Sequence, residues 1–277
     1  MALFVNQLTH IDVSLWCVER GLVGCSWQVD AHLEGELGED GMLFDFGEVK
    51  PWIKRTLDSG LDHTLLVPTQ APNISVTECA EGVCVRTTSP YPMEVRGPAE
   101  AFSLLPWRTI TLEQVAEYLS AELTDQRPAN VDRVTLTLSD EVIEGAAYGY
   151  THGLKRHLGN CQRIAHGHRS RLAIWQSGER QPALEKHWAS WLDNRYLLEQ
   201  ADIAAQGNEV LTCRYQAAQG NFTITLPTSR CAVLPGPTTV ENIALWLARG
   251  IANESGQVTR VQAFEGINKG AFAEFAP

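Results

Sequence analysis

Three histidines in the second half of the sequence have the residue type and the spacing of a metal site. His166 and His168 are two residues apart, so their side chains lie on the same face of a strand. His152 lies on the preceding segment, which can pair with that strand through the intervening loop. Three neutral imidazoles suit Zn²⁺ and leave its fourth position open, which is the pattern of a catalytic site. A His-x-His pair alone also occurs on solvent-exposed strands, so the prediction depends on its surroundings.

Cys161, five residues before His166, is a neighbouring residue that supports the prediction of a metal site. A cysteine close to a metal ion can abstract a proton at neutral pH. The alternative interpretation is a small buried hydrophobic residue, which is the usual environment of a free cysteine. The seven cysteines are scattered and form no Cys-x-x-Cys pair, and the first seventeen residues lack the basic segment of a signal peptide. We therefore expect reduced thiols and a cytoplasmic protein.

Composition excludes several classes of partner. The formal net charge is −11 and no run of Lys or Arg occurs, which argues against nucleic acid. No apolar run approaches the roughly 20 residues that span a bilayer, so we expect no membrane association. Apolar residues make up 44% of the 277 residues, enough for a hydrophobic core in one large domain or two ordinary ones. The expected partner is a small molecule.

An internal repeat organises the elements that must position these residues. Three short segments recur in the second half, in the same order and at nearly the same separation: residues 61–63 (Leu-Asp-His) as 192–194 (Leu-Asp-Asn), residues 111–116 as 239–244, and residues 131–134 as 258–261. The boundary falls near residues 140–148 and divides the chain into modules 1–143 and 144–277.

Each module is predicted to contain strands, a helix, a hairpin, a second helix and a closing strand. The first module has alternation over residues 27–37, helical spacing from Val49 to a stop at Gly60, a hairpin over residues 75–87, a helix capped by Thr111, and a strand over 130–138. The second has strand 171–176, helix 184–192, hairpin 210–226, a helix capped by Thr239, and strand 257–264.

Several motifs of the two halves match one enzyme family when they are taken together. The first half has Gly-Met-Leu-Phe-Asp-Phe-Gly at residues 41–47 and a complete Leu-Asp-His at residues 61–63. The second half has His152, Cys161, His166, His168, Leu-Asp at 192–193, Thr-Val-Glu-Asn at 239–242 and Glu265. This set resembles the 6-pyruvoyltetrahydropterin and 6-carboxytetrahydropterin synthase family, in two tandem copies.

The resemblance implies a fold, a cofactor and a set of site residues. The fold is the α+β tunnelling fold, in which each module is an antiparallel four-stranded sheet with two helices on one face and the modules assemble into barrels. The cofactor is zinc, held by His152, His166 and His168. The pterin is anchored by Glu265, with Glu241 and Asn242 nearby. A proton relay of Cys, Asp and His acts on 7,8-dihydroneopterin triphosphate, for which the candidates are Cys161, Asp62, His63 and Asp193. The assembly is a homo-oligomeric ring, most simply a trimer of tandem chains.

Two departures from the family pattern shape the hypothesis. Residues 23–25 (Val-Gly-Cys) stand where His-Gly-His is expected, so the first half should hold no zinc whatever His10 does. Asn194 stands where the relay histidine is expected, and an amide cannot take up a proton near pH 7. If the site lies between modules, Asp62 and His63 could complete a relay around Cys161. The alternative is that both Leu-Asp pairs only terminate helices.

Three functions are compatible with these features. The first is a zinc-dependent lyase of the 6-carboxytetrahydropterin synthase type, which feeds the synthesis of deazapurines such as queuosine. The second is a tandem homologue that binds pterin or zinc but has a lost or altered reaction. The third is a bimodular nitrile reductase of the same fold, which requires a Glu- and Lys-rich NADPH segment that this sequence lacks. NADPH oxidation distinguishes the third function from the others.

Overall fold

The computed structural model describes residues 1–277. In the first half the elements are β1 (Ala2–Cys17), β2 (Gly21–Gly35), α1 (Phe46–Ser59), β3 (Leu65–Pro68), β4 (Ile74–Cys79), β5 (Gly82–Thr87), β6 (Met93–Gly97), β7 (Phe102–Leu105), α2 (Leu112–Asp125) and β8 (Val131–Asp140). In the second half they are β9 (Ala147–His152), β10 (His166–Gln176), β11 (Glu179–Arg180), α3 (Pro182–Leu192), β12 (Arg195–Glu199), β13 (Ile203–Gln206), β14 (Val210–Ala217), β15 (Gly220–Pro227), β16 (Cys231–Leu234), α4 (Val240–Ser255), β17 (Thr259–Phe264) and β18 (Gly270–Phe275).

Local capping chemistry sets the helix ends as the sequence predicts. Thr111 accepts a hydrogen bond from the backbone of Gln114, whose side chain accepts from the backbone of Thr111, so α2 begins with a complete capping box. Thr239 caps α4 with its side chain alone, which accepts from the backbone N–H of Asn242. Gly60 follows the last residue of α1. Caps of this kind satisfy backbone N–H groups that have no partner inside the helix.

Two large sheets carry the two modules. The first has the strand order β7-β3-β1-β2-β8, and the second has the order β16-β12-β9-β10-β17-β18, with β11 paired to β10. The predicted α+β class is confirmed, but the sheets exceed four antiparallel strands. The extra strands β3 and β7 lie parallel to β1, and β12 and β16 lie parallel to β9. Parallel pairing is possible here because a helix or the hairpins provide a long connection before each added strand.

A third sheet joins the modules. Its order is β13-β14-β15-β6-β5-β4, so the predicted hairpins of both halves form one continuous six-stranded sheet. The junction is the antiparallel pairing of β15 with β6, where Ile224 lies opposite Val95. A hydrophobic cluster of buried residues from both halves packs around it, including Trp16, Tyr91, Tyr196 and Phe222. The two halves therefore share a core as well as backbone hydrogen bonds.

The central hairpins of the two modules, β1–β2 and β9–β10, are in direct contact. A Cβ atom on Gly24 would lie 1.9 Å from the carbonyl oxygen of Tyr150, and one on Gly167 would lie 2.7 Å from Gly24 Cα. Only glycine allows the backbones to approach so closely. The hydroxyls of Ser14 and Thr151 form a buried hydrogen bond of 2.7 Å across the same contact. None of the helices is both long and apolar enough to cross a membrane.

Candidate metal centre and active site

The three predicted metal ligands lie together on neighbouring strands. His152 ends β9 and lies directly opposite His166 at the start of β10, and His168 lies opposite Tyr150. The ring centroids are 4.4 Å apart for His152 and His166, 5.2 Å for His152 and His168, and 5.5 Å for His166 and His168. All three side chains are buried. The cross-strand register thus brings together residues that the sequence separates by a thirteen-residue loop.

The hydrogen bonds of these histidines suit a metal ion. His152 Nδ1 donates to the carbonyl oxygen of Thr238 at 2.9 Å, and His166 Nδ1 donates to that of Arg163 at 3.0 Å. A carbonyl oxygen can only accept, so the Nδ1 atoms carry the protons and the Nε2 atoms keep free lone pairs. The Nε2 atoms of His152, His166 and His168 are buried without a hydrogen-bond partner. Three buried acceptors without a donor fit a cation better than an empty space.

Burial also keeps two of the ligands in the neutral form that a metal requires. It lowers the pKa of the His152 and His166 imidazoles well below the usual value, and the neighbouring histidines lower it further. Neutral imidazole is the form that binds metal ions. The donor set is therefore one that could hold a metal ion, formed by three residues whose ligand atoms lie within 4.8 Å of one another.

Asp12 of the first half supports the third ligand and was missed by the sequence analysis. Its Oδ1 lies 3.2 Å from His168 Nδ1 and accepts a hydrogen bond from the Ser26 hydroxyl. Lys269 Nζ donates to Asp12 Oδ2 at 3.1 Å. Burial alone raises the pKa of this carboxyl group, but His168 and Lys269 outweigh burial and hold the pKa well below its usual range. The signal in the sequence was an acidic residue inside an alternating apolar strand, between Ile11 and Val13.

Asp62 and His63, also from the first half, lie beside the same cluster. His63 Nδ1 is 2.6 Å from Asp62 Oδ2, and the His63 ring centroid is 5.1 Å from that of His166. Asp62 Oδ1 accepts from the backbone N–H of Asp12 at 2.8 Å, and the His63 backbone N–H donates to the Asp12 carbonyl at 2.8 Å. These bonds fix the pair against β1, with His63 in the left-handed region at φ 58°.

Cys161 completes this group from the loop between β9 and β10. The ligand atoms of His63, Cys161 and His166 all lie within 4.8 Å of one another, and the Cys161 side chain is half-buried. The carbonyl of Cys161 accepts from the backbone N–H of Leu154 at 2.8 Å, and Asn160 donates to the carbonyl of Asp58 in the first half at 3.1 Å. The loop is thus anchored at its own base and on the opposite module.

The surroundings of His63 favour its protonated form. Burial lowers the pKa of this imidazole, but the hydrogen bond with Asp62 and the nearby Cys161 outweigh burial and raise the pKa to about 10. An imidazole paired on one side with a carboxylate and on the other with a thiol is a proton-exchanging arrangement. The arrangement can therefore take a proton from a reacting group or return one to it.

Asp193, one of the predicted catalytic residues, is not part of this group. Its Oδ1 accepts from the backbone N–H of Gly149 at 2.8 Å, and its Oδ2 accepts from the side chain of Asn194 at 2.7 Å. These contacts repeat those of Asp62 and His63 on the opposite module, and Asn194 has the same left-handed φ of 57°. Asp193 therefore lies against β9, the first strand of its own module, as Asp62 lies against β1.

The strand register also shows what the first module has at the ligand positions. Leu15 lies opposite Val23 as His152 lies opposite His166, and Cys25 lies opposite Val13 as His168 lies opposite Tyr150. The counterpart of His152 is therefore Leu15, not His10. His10 instead lies with its Nε2 3.6 Å from Asp12 Oδ2.

Among the predicted pterin-binding residues, only Glu265 lies at the cluster. It follows β17, its side chain is 22% exposed, and its Oε1 is 3.8 Å from His168 Nε2. Its backbone N–H donates to the carbonyl of Lys269 at 3.0 Å. Glu241 is exposed on α4, and the Asn242 amide donates to Thr239 at the start of that helix, so neither contacts the histidines. The residue before the cap of α4, Thr238, contacts the cluster instead, through His152.

Known proteins give an independent comparison. The family model for 6-pyruvoyl tetrahydropterin synthase matches the chain twice, over residues 19–148 and 141–276. A curated protein of Pyrococcus horikoshii, provisionally named 6-carboxy-5,6,7,8-tetrahydropterin synthase, is 23% identical over 118 residues, which are 43% of this chain and 68% of that protein.

Solved structures also align with about half of this chain. The 6-pyruvoyl tetrahydropterin synthase of Plasmodium vivax aligns with a TM-score of 0.43 and 17% identity, over 52% of this chain and 93% of that one. The enzyme of the same name from Plasmodium falciparum aligns with a TM-score of 0.39 and 16% identity, over 50% and 91%.

Proposed function

The chain belongs to the 6-pyruvoyl tetrahydropterin synthase family, whose model matches both halves, and from this premise we propose that it is a zinc-dependent lyase that converts 7,8-dihydroneopterin triphosphate to 6-carboxytetrahydropterin. The observation that carries the proposal is the position of His63. It lies beside Cys161 and His166 although it comes from the other half of the chain. The relay histidine that is absent at position 194 is thereby replaced by one from the first module.

The proposed ligands of the zinc ion are His152, His166 and His168. Their Nε2 atoms are buried and free of hydrogen bonds, and two of the three Nδ1 atoms are fixed by backbone carbonyls. Imidazole nitrogens suit Zn²⁺, and three protein ligands are the number found in catalytic zinc sites. When bound, zinc would act as a Lewis acid that polarises the side-chain hydroxyl and carbonyl oxygens of the substrate.

The proton relay is assigned to Cys161, His63 and Asp62. Asp62 accepts from His63 Nδ1, which fixes the ring orientation and leaves Nε2 to exchange a proton with Cys161. Cys161 would accept a proton from the substrate side chain, and His63, already protonated, would donate its own proton to a different atom before Cys161 reprotonates it. Asp12 links the relay to the ligands, because its backbone contacts Asp62 and His63 while its side chain lies against His168.

Glu265 is assigned to the pterin ring. A carboxylate can accept two parallel N–H hydrogen bonds from the guanidine-like edge of a pterin, which is a charge-assisted bidentate geometry. Glu265 lies at the border of the buried cluster and is partly exposed, so a ring bound to it would have its side chain near His168 and the relay. Lys269 adds positive charge near this carboxylate, because desolvation lowers the pKa of its amino group but the carboxylates of Asp12 and Glu265 raise it by more.

The name of the Pyrococcus horikoshii protein supports the choice of the 6-carboxy product over the 6-pyruvoyl product. The test is incubation of the zinc-loaded chain with 7,8-dihydroneopterin triphosphate, with the product identified by mass spectrometry. The expected product is 6-carboxytetrahydropterin, formed only when zinc is present. A 6-pyruvoyl product would change the subclass. Pterin binding without turnover would contradict the proposed reaction and favour an altered tandem homologue, and NADPH-dependent reduction of a nitrile would favour a reductase.

A further inference from the structure

A second pocket lies where the first module repeats the geometry of the metal centre. It has a volume of about 370 Å³, and both modules line it. Its walls include Leu15, Val23 and Cys25, which hold the strand positions of His152, His166 and His168. A pocket of this size is within the range of small-molecule sites. The first module therefore has a cavity at the position of the metal centre, but it has other side chains where the metal centre has histidines.

The first module differs from the metal centre at a supporting position as well as at the ligand positions. In the metal centre His152 contacts Thr238, the residue before the cap of α4. The corresponding residue before the cap of α2 is Ile110, and it lines the second pocket together with Leu15. His152 and the Thr238 hydroxyl that lies 3.0 Å from its Nδ1 are thus matched by two apolar side chains. Burial raises the pKa of the Cys25 thiol to about 12, so this position has a neutral side chain as well.

One polar feature of the metal centre is retained. Leu138 pairs with Val29 on β2 as Ala263 pairs with Leu172 on β10. Two residues further along each closing strand come Asp140 in the first half and Glu265 in the second. Asp140 lines the second pocket and lies opposite Trp27. The carboxylate proposed to anchor a ring therefore has a counterpart that is one methylene shorter.

Two arginines add positive charge at this pocket. Arg20, in the tight turn between β1 and β2, is exposed at its border, and Arg169 enters from β10 of the opposite module. Arg169 is held by its Nη1, which donates to the carbonyl of Glu141 at 2.8 Å. Guanidinium groups bind carboxylate and phosphate oxygens through paired N–H donors. The pocket thus combines apolar walls, one carboxylate and two guanidinium groups.

We propose that this pocket is a second, metal-free binding site for a planar heterocycle that has a guanidine-like N–H edge and an anionic substituent. The edge would pair with Asp140, the ring would lie on the apolar side chains of Val23 and Trp27, and the anion would face Arg20 and Arg169. The identification of the heterocycle as a pterin rests on the proposed function. Without zinc ligands or a counterpart of Cys161, the site binds its ligand and does not transform it.

Calorimetric titration of the zinc-loaded chain with pterin-6-carboxylate tests the proposal. The expected stoichiometry is two ligands per chain. Asp140→Asn should remove one of them and leave the other, and Glu265→Gln should do the reverse. Asp140→Glu is the matched control, because it restores a carboxylate and should keep both. Arg20→Gln should weaken one of the two sites for pterin-6-carboxylate by ~30-fold, as expected for a lost charge-assisted pair, and should leave 6-hydroxymethylpterin unaffected because that compound lacks the carboxylate.

The outcomes separate this inference from the proposed function. One ligand per chain, lost in Glu265→Gln and unchanged in Asp140→Asn and Arg20→Gln, would overturn the second site and leave the proposed function standing. One ligand per chain, lost only in Asp140→Asn, would support the second site and count against the pterin role of Glu265. Absence of any pterin binding would overturn both. Zinc content, measured in each variant, verifies that the second module has folded.

Discussion

The imidazole of His63 from the first half lies with its centroid 5.1 Å from that of His166 in the second half. Its counterpart in the repeat, Asn194, has the same backbone conformation and the same contact with a preceding aspartate, but neither Asn194 nor Asp193 belongs to the group of histidines around His166. The metal centre therefore takes its hairpin from the second module and its Leu-Asp segment from the first. This combination contains both a relay histidine and a metal-ligand set.

The first prediction concerns this relay. His63→Asn recreates the Asp-Asn pair of residues 193–194, so it keeps the left-handed backbone and the contact with Asp62 but cannot exchange a proton near pH 7. Turnover should fall by ~10²–10⁴-fold, to a similar extent as in Cys161→Ala, since each removes a general acid–base group. Asn194→His is the matched control and should not raise activity. Steady-state kinetics measure the turnover, and the zinc content should stay constant. Full activity in His63→Asn would show that Asp62 and His63 only terminate a helix.

The second prediction concerns metal stoichiometry. Elemental analysis of purified protein should give about one zinc per chain, because the first module has Leu15, Val23 and Cys25 at the ligand positions. The double variant His166→Ala/His168→Ala should lose the metal, since one imidazole cannot hold it. Cys25→Ala is the control and should retain it. A value near two, or zinc retained in the double variant, would refute the assignment.

The third prediction concerns Glu265. Glu265→Gln keeps the size of the side chain but loses the charge, so pterin affinity should fall by ~30-fold or more, which corresponds to about 2 kcal/mol. Glu241→Gln tests the other acidic residue that the sequence suggested; this side chain is exposed and has no contact with the cluster, so we expect unchanged affinity. Fluorescence titration with a pterin measures both. Equal affinity in Glu265→Gln and the parent protein would exclude the anchoring role.

The fourth prediction concerns stability at alkaline pH. Burial raises the pKa of the Cys213 thiol to about 12 from an ordinary value of 9.0. The folded state thus favours the neutral thiol, and its contribution to stability is complete below pH 9 and is lost as the pH rises towards 12. Between these values the thiol adds a slope of about 1.4 kcal/mol per pH unit to the free energy of unfolding. In urea denaturation, the free energy of unfolding of Cys213→Ala should decline less steeply with pH above pH 9 than that of the parent protein. An equal pH dependence in the two proteins would contradict the assignment.

The fifth prediction concerns assembly. Strands β7 and β8 form the edges of the first sheet, and β16 and β18 form those of the second. Leu104 on β7 and Phe272 on β18 expose 43% and 55% of their surface. Open, partly apolar edges favour pairing with further strands. We expect a ring, most simply a trimer, and light scattering should give three times the chain mass of 30.6 kDa. Leu104→Lys should weaken the assembly, and a monomeric parent protein would rule out the ring.

Local features of the fold were predictable from the sequence. The caps at Thr111 and Thr239, the glycine after α1 and the two hairpins all depend on residues that are close in the chain. The four-residue strands β3, β7 and β16 were not predicted, because an apolar run of that length is the same in a strand and in a buried loop. The pairing of β3 with β1, of β7 with β3 and of β16 with β12 depends on tertiary contacts.

The candidate site was predictable only in part, and for the same reason. The spacing of His166 and His168 within one strand indicated their common face, and the absence of a histidine at position 194 suggested a relay from elsewhere. Asp12 stood out in the sequence only as an acidic residue between Ile11 and Val13, and its role was not predictable, because its contact with His168 depends on the packing of two hairpins through Gly24 and Gly167. Conversely, Asp193 and Glu241 match the family pattern but lie away from the cluster. A motif match identifies the position of a residue within its module, but it does not show to which site the side chain contributes.

The junction of β15 with β6 has a genetic consequence. Because these strands pair within one chain, the two halves of each polypeptide are committed to each other before any assembly of chains occurs. Two inactive alleles, one altered at His63 and the other at Cys161, therefore cannot complement each other when they are expressed together, since neither can borrow the intact half of the other. In free-standing modules the same two defects could be repaired by mixed assembly. In the tandem chain, both halves of the same polypeptide must be intact for an active site to form.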